Sequence, residues 1–125
     1  MIEYWIQKSD YSSQEWKTSS INDVIKVFKE FDWESELNSF AEEDDSNNCP
    51  PGLGVMFNGA LLHICPNDKD HVFFNFHYKA LKKRLWLFPY LKNETHYVSN
   101  YGASMVEHLI KLHMAGDIQG ICAIR

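Results

Sequence analysis

The 125-residue chain has no apolar run of about 18 residues, the length a membrane-spanning helix needs. Cysteine is scarce: Cys49, Cys65 and Cys122 are odd in number and irregularly spaced, which suits neither a disulfide framework nor paired zinc ligands. They read as reduced thiols, with Cys65 and Cys122 as small core residues inside apolar runs and Cys49, ahead of Pro50 and Pro51, exposed in a loop. Positive charge is also short, with 12 Lys and Arg against 17 Asp and Glu for a net charge of −5. Such a chain lacks the basic face that releases counterions from nucleic acid, and nothing draws it to an anionic membrane. The segment Met1 to Asp10 has neither the basic start nor the long apolar stretch of a secretory signal, so the expected compartment is the cytoplasm.

Catalytic and cofactor motifs are missing too. Pro50-Pro51-Gly52-Leu53-Gly54 has two glycines but neither the Lys-Ser/Thr of a phosphate loop nor the longer glycine fingerprint of a dinucleotide site. Cys49 and a histidine would make a formal nucleophile pair, but the neighbouring acids oppose thiolate formation and no orienting acid is set beside it. Among the six histidines, His108 and His113 are five apart, off a common helical ligand face, and His63 and His77 fall on neighbouring segments. Asp44, Asp45, Asn47 and Asn48 offer oxygens, yet the alternation, the sixth-position glycine and the closing Glu of a calcium loop are absent. The expectation is a protein with no catalytic residue, no metal and no cofactor.

What the chain does have is a core. A hydrophobic content of 45%, with 14% aromatic residues, fills one domain of this length, and no repeat or linker divides 1–125. Ile2, Tyr4 and Ile6 alternate as in a strand, with Trp5 making the other face partly apolar. After a polar, serine-rich stretch, Ser20 caps a helix whose Ile21, Val24, Ile25, Phe28 and Phe31 share a face, and which continues or restarts through Leu37 to Phe40. Ala41 to Gly54 reads as a loop. Val55–Phe57 and Ala60–Cys65 flank Asn58-Gly59, the dipeptide suited to a type I′ hairpin, and Pro66–Asp70 turns the chain into a third strand through Val72, Phe74 and Phe76. Lys79 to Arg84 reads as a basic connection, followed by strands at Leu85–Phe88 and Thr95–Val98 around a turn near Lys92-Asn93-Glu94. Ser104 caps a second helix with Val106, Leu109, Ile110 and His113 on one face, Gly116 ends it, and Gly120–Ile124 closes as a strand. The predicted architecture is α+β: a mostly antiparallel sheet of about five to six strands with two helices packed on one face.

Charge is segregated. Glu30, Asp32, Glu34, Glu36, Glu42, Glu43, Asp44 and Asp45 are eight of the seventeen acids in a segment with none of the twelve Lys and Arg, so 30–45 stands at −8 and the remainder at +3. Such a run is either solvated surface or a face for a basic partner. Phe31, Trp33, Leu37 and Phe40 are interleaved with the acids, and Trp33 among carboxylates has the composition of a binding anchor within a steering rim.

The early strand and helix, the meander from Val55 to Phe76, and the late segment Ser104–Ile124, where a helix ends in Ala115-Gly116-Asp117 before a final strand, together with small size and acidic character, resemble the cytoplasmic immunity proteins encoded beside bacterial polymorphic toxins. That family includes proteins of contact-dependent inhibition and those paired with secretion-delivered effectors. The resemblance lies in pattern across most of the chain and implies stoichiometric binding of a cognate toxin, without chemistry; an acidic face suits a basic target such as a nuclease. Two other classes stay open. One is a small-molecule-binding or enzymatic domain with a pocket lined by Trp86, Tyr90, His77 and Tyr97; the other is a homodimeric structural or regulatory subunit joined through exposed aromatics.

Overall fold

The computed structural model describes residues 1–42, 49–84 and 88–125. Six strands form one sheet: β1 (Ile2–Gln7), β2 (Ser13–Thr18), β3 (Gly52–Phe57), β4 (Ala60–Pro66), β5 (His71–Arg84) and β6 (Phe88–Gly102). Their order is β2-β1-β3-β4-β5-β6, and every neighbouring pair is antiparallel. The helices are α1 (Ile21–Glu30), α2 (Trp33–Glu42), α3 (Val106–Met114), entered through a 3-10 turn at Ala103–Met105, and α4 (Ile118–Cys122). This is the expected α+β class, with two more helices among the described residues than the two read from the sequence.

One face of the sheet is the core. Ile2, Tyr4 and Ile6 of β1, Leu53 and Val55 of β3, Leu62 and Ile64 of β4, Val72, Phe74 and Phe76 of β5 and Val98 of β6 are buried with Val24 and Ile25 of α1 and Val106, Leu109 and Ile110 of α3. Each fully buried side chain of this kind contributes roughly 1.5–3 kcal/mol through water exclusion, so the one-faced layering holds sheet and helices together. The hairpin between β3 and β4 turns through Asn58 and Gly59 at φ 51° and 77°, as a type I′ turn requires. Gly116, at φ 69°, follows α3 as its terminator.

Several expectations are corrected. The serine-rich stretch contains β2, an edge strand whose SQEWKT residues lie almost wholly exposed, so no apolar alternation marks it; Trp16 stacks on Tyr4 across the pair, centroids 5.4 Å apart. Ser20 does occupy the N-cap position of α1 but makes no side-chain bond there; its own amide donates to the Thr18 hydroxyl oxygen, and Thr18 in turn bonds Asp23. Phe31 caps α1 and the chain restarts as α2, so Ala41 and Glu42 are helical, while Gly52–Gly54 belong to β3 rather than to a loop. Gly54 is required by close approach: Trp5 lies across it from β1, and a Cβ at that position would overlap the indole.

Lys79–Arg84 is the continuation of β5, and Lys92-Asn93-Glu94 lies inside β6; no third strand pairs with this ribbon among the described residues, so its residues carry little core-facing period. Phe88 opens β6, whereas Leu85, Trp86 and Leu87 lie outside the described residues. Ser104 sits within the 3-10 turn and does not cap α3. The closing strand is instead α4, nucleated by Asp117, whose carboxylate accepts the Gly120 amide at 2.9 Å, and fixed by burial of Ile121.

Candidate functional site

Asp32 sits between the two helices and caps the second, its Oδ1 accepting the Ser35 amide at 3.1 Å. The sharp change of direction brings three aromatic rings together: Trp33 packs at 4.5 Å from Phe31 and 5.5 Å from Phe28, and its indole N–H donates to the Phe28 carbonyl at 2.8 Å. Three residues further on, Glu36 accepts both the amide and the hydroxyl of buried Ser9 at 3.1 Å, tying α2 to the β1–β2 turn. Helix α2 is therefore held at the end of the sheet where β1 finishes and β5 begins.

Against the first turns of α2 lies the β4–β5 turn. Its shape is set by Asp68, whose Oδ1 accepts the amides of Asp70 and His71 at 2.7 and 2.8 Å, bonds that hold its carboxyl below the usual range. Between turn and helix is a groove of about 550 Å³ lined by Phe31, Asp32, Trp33, Glu34, Leu37, Asn38, Asn67, Asp68 and Lys69. Phe31, Trp33 and Leu37 make an apolar wall, while Asp32, Glu34 and Asp68 leave Lys69 outnumbered at the rim.

The predicted acidic face is thereby sorted by role. Asp32 and Glu36 have structural employment as cap and tie, and Trp33 is half-buried and pinned, presenting only part of its ring to the groove. Glu34 and Glu30 are exposed and form no ion pair among the described residues. Glu42 closes α2; Glu43, Asp44 and Asp45 lie outside the described residues, as do the calcium-loop candidates Asn47 and Asn48. The groove residues that sequence reading missed are Asn67, Asp68 and Lys69, some thirty positions along the chain from the helix they face. Nothing in their composition beyond a turn signal marks them.

The alternative pocket does not assemble. Strand register puts His77 and Tyr97 on the helix-free face and Tyr90, paired with Lys82, on the opposite one; Trp86 lies outside the described residues. His63 and His77 do share the helix-free face, since Leu61 pairs with His77 and His63 with Asn75. Burial lowers the His63 pKa, with the His77 charge adding to the effect. Cys65 is buried beside it, its thiol pushed up to about 12 chiefly by burial, and is a poor nucleophile. Cys49 is half-buried rather than exposed, with its amide bonded to the Ser9 carbonyl at 2.9 Å and its thiol to the Lys8 carbonyl at 3.3 Å. Among the described residues no group of three or more His, Cys, Asp or Glu is placed to hold a metal ion, and no helix is long and apolar enough to cross a membrane.

Set against protein-family models, curated proteins and solved structures, the chain matches none. The groove beside α2 must be judged on its own chemistry.

Proposed function

We propose that the chain is a non-catalytic immunity protein that binds and neutralises a cognate bacterial toxin through the groove beside α2. The observation that carries this reading is an apolar wall, Phe31, Trp33 and Leu37, bordered by carboxylates of which Glu34 lacks an ionic partner among the described residues. An apolar centre excludes water from a contact, and a rim of one charge sign speeds encounter with a partner of the other and rejects like-charged competitors. Pinning Trp33 through its N–H and two neighbouring rings lowers the entropy lost on binding, as suits an anchor. A basic nuclease toxin fits that rim, and inhibition needs only occupation of the toxin's working surface. In this reading the chain acts in the cytoplasm, without cofactor.

The test is co-expression with the products of the genes flanking its own, followed by chromatography in roughly 0.5 M salt, enough to screen exposed charges. A complex that survives and relieves toxicity supports the reading. Glu30→Gln with Glu34→Gln should then slow association and flatten its salt dependence while leaving dissociation nearly unchanged. Absence of any complex, with no toxicity among the neighbouring products, overturns it.

A further inference from the structure

β5 and β6 outrun the rest of the sheet. β4 follows β5 only to His77, so beyond that point Tyr78–Arg84 and Phe88–Glu94 pair with each other alone and stand out as a two-stranded ribbon. A two-stranded ribbon is marginal in water without further cover. This one carries Leu81 and Leu91 as a cross-strand pair, 67% and 65% exposed, with Tyr90 43% exposed on the reverse side. Exposed leucines paired on a projecting element mark a surface meant to be covered.

The charge on the ribbon identifies the cover. Lys79, Lys82, Lys83, Arg84 and Lys92 stand against Glu94 alone, the reverse of the −8 segment that contains α2. The groove beside α2 offers an apolar wall of matching kind with carboxylates at its edge. The ribbon cannot reach its own groove: the groove includes the turn that precedes His71, and Leu81 lies ten residues up a strand that rises about 3.3 Å per residue. A second copy turned end for end solves this. A two-fold axis then makes both ribbon-to-groove contacts at once and closes the assembly.

We infer that the chain forms an antiparallel two-fold dimer in which Leu81 and Leu91 of each ribbon cover Phe31, Trp33 and Leu37 of the other copy, with Lys79, on the same ribbon face as the leucines, facing Glu30 and Glu34. The inference concerns the chain by itself and does not depend on a toxin. If the partner contact proposed above uses the same groove, partner and second copy compete for it.

Sedimentation equilibrium on the full chain across a concentration series tests this, with two charge-reversed variants. Lys79→Glu, and Glu30→Lys with Glu34→Lys, should each raise the dimer Kd about tenfold, because like charges then face each other. Mixing the two variants should restore a heterodimer of near-original affinity, since both of its contacts are again complementary; this outcome a folding defect cannot mimic. A chain monomeric throughout overturns the inference, and so does a dimer whose Kd neither variant changes. Binding of a monomeric chain to phosphatidylserine-containing vesicles also overturns it and assigns the ribbon to a lipid surface. None of these results bears on co-purification with a toxin, so the two proposals fail separately.

Discussion

The His113 imidazole is buried under the sheet, where its Nε2–H donates to the Val55 carbonyl at 2.9 Å and its ring stands edge-on to Phe76. Burial pushes its pKa down to about 4, although the Val55 bond pulls the other way. The unfolded chain titrates the same histidine near 6.5, so between these values the unfolded state holds more protons and stability rises with pH. The contribution of neutral His113 is complete above about pH 6.5 and is lost as pH falls toward about 4, at up to ~1.4 kcal/mol per pH unit. Denaturant unfolding across that window should show this slope, and His113→Gln, which keeps a donor for Val55, should reduce it. An unreduced slope would mean that His113 is not the titrating group. Trp33 makes a second residue-scale case. Trp33→Phe keeps the ring contacts but loses the N–H bond to Phe28, about 1 kcal/mol, whereas Trp33→Ala also empties the aromatic cluster and should cost about 3 kcal/mol in urea unfolding. Equal costs for the two would show that the rings contribute nothing.

Among the elements, the β1–β3 pair depends on a close approach rather than on side-chain alternation. Trp5 occupies the space over Gly54 that a side chain would otherwise fill, which lets a glycine stand inside a strand interior. Gly54→Val should therefore displace the indole and cost about 1–3 kcal/mol. In a Trp5→Ala background the same substitution should cost much less, because valine then has room; additive costs in that double-mutant cycle would contradict the overlap. Local pattern was enough for the β3–β4 hairpin, where Asn58-Gly59 alone specifies the turn, and for the buried faces of α1 and α3. It was insufficient for β2 and the outer ribbon. β2 is exposed on both sides, and so are most of the described side chains of the ribbon beyond Tyr78; a strand that buries little of either face has little apolar period to display. Gly120–Ile124 misled for another reason: a short apolar run suits strand or helix equally, and the Asp117 cap decided it.

For the molecule as a whole, charge is unevenly laid out. The acids of 30–45 have no cation within their own segment, and Glu30 and Glu34 find none elsewhere among the described residues. Their mutual repulsion works against folding and is screened beyond about 10 Å at 0.1 M salt. Raising sodium chloride from low ionic strength should therefore raise the urea midpoint, and Glu34→Gln should weaken that dependence. A midpoint that falls with salt would show that exposed ion pairs such as Lys17–Glu3 and Lys29–Glu107, at 3.7 and 3.8 Å, outweigh the repulsion. The α+β class, the central meander, two of the helices and the acidic segment could be read from sequence, since each is a property of a continuous stretch of chain. The groove could not, because Phe31, Trp33 and Leu37 meet Asn67, Asp68 and Lys69 only once the β4–β5 turn is folded against α2. Nor could the division of the carboxylates into cap, tie and free rim, which depends on where Ser9 and the Ser35 amide lie. The sequence determined which faces would be buried, because burial repeats at the period of the backbone; the tertiary structure alone decided which distant surfaces face one another, because that is set by how the buried faces pack.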